Sequence, residues 1–419
     1  MSDSSSPSVT LTALQQAYHA SLDLERLSGS ERDRGVRAMA DAISDSFDDI
    51  LEANTIDLEL SREMAISDLL LDWLKLTPER LDNVVGILRR VAQVSDPLER
   101  VINAPYQLTW SQTYCQLMPL GVIVLIHEAF PELGAIAAGL CLKTSNSLIV
   151  RGCNASIQTS NVIANILQTA LEEAGLPEGC LKFLSPESGA SIHELVTQDR
   201  YVNLVIPYGR PSLIEQVSQE ATAPILPAAI GNCYLYWSPN GDLDRVRQIV
   251  LDSHATEPDP VNAIEKILIS PIHNPSLIAR LFNSLQENGF ELRGDSPLCE
   301  EFPEYLSPAS SLEWRKPYLN KIIAFKTVPS LSDAIIWMNR HSSSHADCIV
   351  TESYQESRQF AMEIDSALVY INASPRFYRN PQQGESVFLG ISNQKGYRRG
   401  LMSLETFTTV KQVVQGNSR

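Results

Sequence analysis

The strongest constraint on the fold lies between residues 119 and 152. Val122-Ile-Val-Leu-Ile126 is a short apolar run rich in β-branched residues, the pattern of a strand buried on both faces. After a loop comes Pro131, which has no N–H to leave unpaired and so suits the first position of a helix. Ala135, Ile136, Ala138, Gly139 and Leu142 continue that helix; its small residues allow close packing on a sheet, although Gly139 weakens the helix itself. It stops at Lys143-Thr-Ser-Asn146, and a second apolar strand, Ser147-Leu-Ile-Val150, runs straight into Arg151-Gly152. Strand, helix, strand at this spacing is a βαβ unit with a right-handed crossover. Its loops lie where an open α/β sheet binds its ligand. No GxGxxG is present here, so the ordinary dinucleotide fingerprint is missing.

The rest of the chain extends this pattern. From Leu11 to about Val101 apolar residues recur three and four apart, and Thr77-Pro-Glu79 is a helix start with a cap, a first-turn proline and an acid. Tyr106–Leu117 reads as extended, and Glu405–Val414, rich in β-branched residues, would be its partner. After Gly152 a helix over Ile157–Ala174, a strand from Leu181, a helix over Ser191–Gln198 and a strand from Val202 give βαβαβ, a doubly wound parallel sheet.

A second α/β region begins near Pro224. It has strands at Asn232–Trp237, Phe290–Gly294, Ile322–Val328, Cys348–Thr351 and Ala367–Ala373, with helices at Leu243–Ser253, Pro275–Asn288 and Leu331–Asn339. The pattern also predicts a helix over Val261–Ile267, entering a strand at Leu268-Ile-Ser270.

At 419 residues the chain has room for two or three domains. A net charge of −17 argues against general nucleic-acid or anionic-membrane binding, and no apolar run is long enough to span a membrane. Seven scattered cysteines without a CxxC argue for a reducing, cytoplasmic setting and against a disulfide framework or a zinc site. His341 and His345 lie four apart but without the HExxH glutamate, so no metal is expected.

Pro119-Leu-Gly-Val, Cys141-Leu-Lys-Thr and Leu148-Ile-Val-Arg-Gly resemble segments of the γ-glutamyl phosphate reductases, relatives of the aldehyde dehydrogenases. Further matches run from Leu76-Thr-Pro-Glu-Arg80 to Thr408-Thr-Val-Lys411. The resemblance implies an aldehyde-dehydrogenase-like fold: two doubly wound α/β domains plus a small β arm that joins subunits. The expected division is a disordered leader at 1–10, N-terminal helices at 11–104, an oligomerisation hairpin at 105–118 and a nucleotide-binding domain at 119–223. A catalytic-type domain at 224–370, a return segment at 371–400 and a C-terminal oligomerisation strand at 401–419 complete it.

It also implies a reaction, the NADPH-dependent reduction of L-glutamate 5-phosphate to L-glutamate 5-semialdehyde in proline biosynthesis. That chemistry runs through a cysteine thioester. The family's pattern at the nucleophile is Cys-Asn-Ala-x-Glu, and here Val261, Asn262, Ala263 and Glu265 occupy it. An isopropyl group cannot attack a carbonyl. The expectation is a catalytically silent or impaired member that acts by binding or within oligomers, either homo-oligomers or mixtures with an active paralogue. The alternative is an active reductase with a relocated nucleophile such as Cys233.

By the same resemblance Lys143, Ser160 and Asn161 would meet NADPH or NADP. Asn372, Arg376, His345 and Lys395 would meet the acyl phosphate, with Arg376 as an anion fork. Three departures accompany Val261. Phe130 replaces the arginine of Glu-Ala-Arg-Pro, Tyr208-Gly-Arg210 replaces the end of Pro-Arg-Gly-Gly, and Phe388 stands where an acid would hold the nicotinamide ribose.

Overall fold

The computed structural model describes residues 8–106, 108, 111–128, 130–255, 261–396 and 398–416. The chain forms two compact units: Met1–Ala228 with Arg379–Gly390 and Leu401–Arg419, and Ala229–Tyr378 with Ile391–Gly400. The return segment therefore splits between them rather than forming one piece.

The first unit opens with helices α1 (Val9–Leu24), α2 (Gly29–Asp45), α3 (Phe47–Glu63), α4 (Asp68–Leu74) and α5 (Pro78–Val91). Their starts are written locally. Ser8 accepts from Leu11 N, Ser28 and Glu31 form a reciprocal capping box, and Thr77 accepts from Arg80 N ahead of Pro78. Of the leader expected over 1–10, residues 1–7 lie outside the described residues, and Ser8 caps a helix that already includes Val9 and Thr10.

Next come β1 (Val101–Asn103) and β2 (Ser111–Pro119). β2 pairs antiparallel with β1 on one side and, over nine residues, with the C-terminal strand Thr408–Gly416 on the other. The expected pairing of the two extended segments holds; Gln107, Thr109 and Trp110 lie outside the described residues.

The nucleotide-type sheet follows as β3 (Val122–His127), α6 (Leu133–Lys143), β4 (Ser147–Arg151), α7 (Ile157–Glu173), β5 (Leu181–Phe183), α8 (Ile192–Thr197), β6 (Val202–Tyr208) and α9 (Pro211–Glu220). Its order is β5-β4-β3-β6, with all pairs parallel. β3 is central and all six of its residues are buried, as its unbroken apolar run requires. Pro131 sits in the turn two residues before α6 rather than at its first position, and Leu133 N bonds back to Phe130 O at 3.0 Å. From β3 the chain winds towards β4 and β5 and then returns to place β6 on the other side. The topological switch point therefore lies between β3 and β6, beyond their carboxyl ends.

The second unit is a seven-stranded parallel sheet. Its elements are β7 (Cys233–Trp237), α10 (Leu243–Ser253), β8 (Ile264–Ile269), α11 (Pro275–Glu287), β9 (Glu291–Gly294), α12 (Ser296–Glu301) and β10 (Ser307–Pro308). β11 (Ile322–Thr327), α13 (Leu331–His341), β12 (Ala346–Val350), α14 (Tyr354–Glu363) and β13 (Leu368–Ile371) complete it, in the order β10-β9-β11-β8-β7-β12-β13. The helix expected over Val261–Ile267 is overturned, because Ile264–Ile269 is the buried strand β8. Glu265 and Lys266 interrupt the apolar run and mimic a helical spacing. Both are in fact buried and satisfied. Glu265 accepts from the backbone of Asn232, Tyr318 and Leu319, and Lys266 Nζ lies 3.2 Å from Glu265 and 3.8 Å from the centre of the Tyr318 ring.

Among the described residues no helix is long and apolar enough to cross a membrane.

Candidate functional site

In the second unit the position expected for the nucleophile lies at the amino-terminal edge of the sheet. Val261 and Asn262 directly precede β8, Cys233 opens β7, and His345 directly precedes β12. β7 is hydrogen-bonded to both β8 and β12, so these residues converge. His345 Nε2 lies 2.9 Å from Val261 O and 3.4 Å from Cys233 Sγ, and Gly231 N also donates to Val261 O at 2.9 Å. The bond to a carbonyl places the imidazole proton on Nε2, which leaves Nδ1 to the Ser343 hydroxyl at 2.8 Å.

Burial lowers the His345 pKa to about 4, so the ring is neutral at physiological pH and has no charge to offer an anion. Among the expected anion ligands, it has both ring nitrogens engaged within the unit. It anchors backbone instead.

Val261 is only 1% exposed. Cys233 is sealed completely, and burial, with Asp347 and Glu265 nearby, pushes its thiol well above the ordinary range. Cys348 is equally buried, its thiol directed at Ala373 O. Residues 256–260, which lead into Val261, lie outside the described residues.

Asn262 donates through Nδ2 to Pro375 O at 2.6 Å. Asn372 makes that contact possible by reversing the chain after β13. It does so at a φ of 52°, which asparagine tolerates, while its amide clamps both Thr351 N and Thr351 O. Its role here is thus a turn clamp. Arg376 directs its guanidinium to Asp252 at 3.1 Å and lies over the Tyr378 ring, and the mostly exposed Lys395 pairs with Asp365. The two cationic candidates of this unit, Arg376 and Lys395, are thus each paired with a carboxylate of the chain.

In the first unit, Ser160 and Asn161 lie in the first turn of α7, and with Val150, Gly152, Phe183 and Ser185 they line a small cleft at the carboxyl ends of β4 and β5. Asp57 caps that helix, accepting from Gln158 N, Thr159 N and the Thr159 hydroxyl. Lys143 does not join them. It ends α6, which runs back to the amino-terminal edge of the sheet, and its buried ammonium is 2.6 Å from Asp33. The cation that does sit beside the cleft is Arg151, at the carboxyl end of β4, with its guanidinium turned onto the carbonyls of Ala190 and Gly152.

At the switch point, Glu128 follows β3 and Arg210 follows β6. Glu128 Oε2 accepts from Arg210 N at 3.0 Å, while Oε1 accepts from Arg210 Nε at 2.9 Å and from a second guanidinium nitrogen. Beside this pair Phe130 is fully buried at a φ of 60°. It stacks on Trp73 at 4.9 Å and meets Tyr208 edge-on at 5.7 Å. The Tyr208 hydroxyl accepts from Arg379 at 2.7 Å, and a Cβ on Gly390 would come within 2.8 Å of the Tyr208 ring. Phe388 N donates to Arg379 O at 2.9 Å.

Residues 4–245 match the aldehyde dehydrogenase family model. The chain is 57% identical to γ-glutamyl phosphate reductase 2 of Synechocystis sp. over 97% of both chains, and 37% identical to the γ-glutamyl phosphate reductase of Gloeobacter violaceus over 97% of this chain and 96% of that one. The chain belongs to the γ-glutamyl phosphate reductase family. The crystal structure of γ-glutamyl phosphate reductase from Thermotoga maritima superimposes with a TM-score of 0.89 at 30% identity, covering 98% of this chain and 99% of that one. The fold is accordingly that of the aldehyde dehydrogenases.

For a γ-glutamyl phosphate reductase, the site is uneven. The α7 cleft offers small polar groups and apolar walls, but as it stands it is too narrow to take a nucleoside. The switch-point crevice does not suit a pyrophosphate while Glu128 holds it. Three of these features escaped the sequence reading: the contact of His345 with Val261, the Glu128–Arg210 pair and the Asp57 cap. Only the second left a legible trace, an arginine in the loop after β6 where the family has glycine.

Proposed function

We propose that this chain is a catalytically silent or impaired γ-glutamyl phosphate reductase, acting by binding and within oligomers. The observation that carries this reading is the valine at the nucleophile position, buried and joined through its carbonyl to His345, with the nearby thiol of Cys233 sealed and held protonated. The family's reaction, NADPH-dependent reduction of L-glutamate 5-phosphate to L-glutamate 5-semialdehyde in proline biosynthesis, needs a thiolate that can reach a carbonyl. NADPH would supply the hydride. What this chain retains is the scaffold on which such a thiol would sit.

Oligomer formation is supported by the three-stranded sheet, which leaves Val101, Val410 and Val414 about half exposed or more along its outer strands. Such a sheet suits a second copy or an active paralogue. The setting that best fits the free thiols is cytoplasmic.

The test is genetic. A proline auxotroph that lacks its own reductase should fail to grow when this chain is expressed as folded protein. Growth without added proline would overturn the reading.

A further inference from the structure

Open parallel sheets take ligands where the strand order reverses, because the loops on either side of that point part and leave a crevice. In the first unit that point lies between β3 and β6. Both loops are drawn together here. The Glu128 carboxylate leaves β3 and lies across the start of α9, where it holds the Arg210 amide and is forked by the Arg210 guanidinium. The approach is close enough that a Cβ at Gly209 would stand 2.8 Å from Glu128 Cβ. From the same two loops Phe130 meets Tyr208 edge-on, and Arg379 ties Tyr208 to the 379–390 segment through the Leu389 carbonyl.

Phe130, Tyr208 and Arg210 are the positions at which the chain departs from the family's Glu-Ala-Arg-Pro and Pro-Arg-Gly-Gly patterns. Phe130 touches Tyr208, and Arg210 grips Glu128, two residues before Phe130, so each replacement has found a partner in the loops after β3 and β6.

We propose that the Glu128–Arg210 pair is a lock on the switch-point crevice, an internal anion held where a dinucleotide phosphate would approach. Glu128 belongs to the family pattern, so Arg210 is what fastens it. The contact is charge-assisted, with two guanidinium nitrogens on Oε1 and the amide on Oε2, and an incoming phosphate has to break it before it can use either the Arg210 amide or the guanidinium. The inference goes beyond the silent-member reading. It concerns nucleotide affinity, which is measured without turnover and is indifferent to the residue at 261.

The experiment is calorimetric titration of NADPH into the full chain and into Glu128→Gln and Arg210→Gly. Each variant is checked for a native melting profile; both side chains are partly exposed and neither is a core residue. A closed site lowers apparent affinity by the fraction of molecules open, so unlocking should tighten NADPH about tenfold in both variants. Arg210→Gly is the discriminating arm, since it removes a cation and yet is expected to gain affinity. Gain in Glu128→Gln with loss in Arg210→Gly is the response of bulk charge alone and would overturn the lock. Unchanged affinity in both folded variants would overturn it as well.

Discussion

His345 and Asp347 stand two residues apart at the start of β12 and respond to acid in opposite senses. Burial lowers the His345 pKa to about 4 and raises that of Asp347 to about 7, against the Ser366 and Ser342 hydroxyls and the Tyr234 amide that donate to the carboxylate. A histidine kept neutral contributes stability above its unfolded pKa of 6.5, and that contribution is lost as pH falls towards 4. A carboxyl kept protonated contributes below 3.8, and loses its contribution as pH rises through 7. Each is on the order of 3 kcal/mol across its window, so the two largely cancel in the native protein. Removing either one exposes the other. Between about pH 4 and 6.5, Asp347→Asn should make the melting temperature rise with pH, whereas His345→Gln should make it fall. Parallel slopes in the two variants, read from thermal melts across that range, would refute the assignment.

At the scale of elements, the C-terminal strand Thr408–Gly416 is a nine-residue edge whose register with β2 is fully made, while Val410 and Val414 remain exposed on it. If this strand joins subunits, Val410→Glu with Val414→Glu should shift the species seen by light scattering to a smaller one. Such outward substitutions should leave the melting temperature of the protomer within a few degrees. An unchanged mass would remove the arm from the interface.

This strand, β3, β4 and the helices with clear caps were legible because local chemistry and burial pointed the same way. β8 was not, because Glu265 and Lys266 carry charges that only the distant Asn232, Tyr318 and Leu319 backbone and the Tyr318 ring can satisfy. Lys143 misled for a related reason. Its place at the end of a crossover helix, and hence at the amino-terminal edge of the sheet, was readable, but the Asp33 awaiting it belongs to the tertiary fold.

Across the whole molecule, the family fold runs from one end of the described chain to the other. Val261 at the expected nucleophile position was visible in the sequence, whereas the neutral imidazole that holds its carbonyl, and the sealing of Cys233 beside it, required the assembled sheet. The central claim is that this single side chain silences a scaffold that still positions its backbone. The most direct test is the reverse reaction, phosphate-dependent reduction of NADP by glutamate semialdehyde, followed at 340 nm absorbance or by product for the native chain beside Val261→Cys. The account predicts no turnover by the native chain and measurable turnover by Val261→Cys, the more so when the variant also carries Arg210→Gly. Clear turnover by the native chain, abolished by Cys233→Ala, would contradict it.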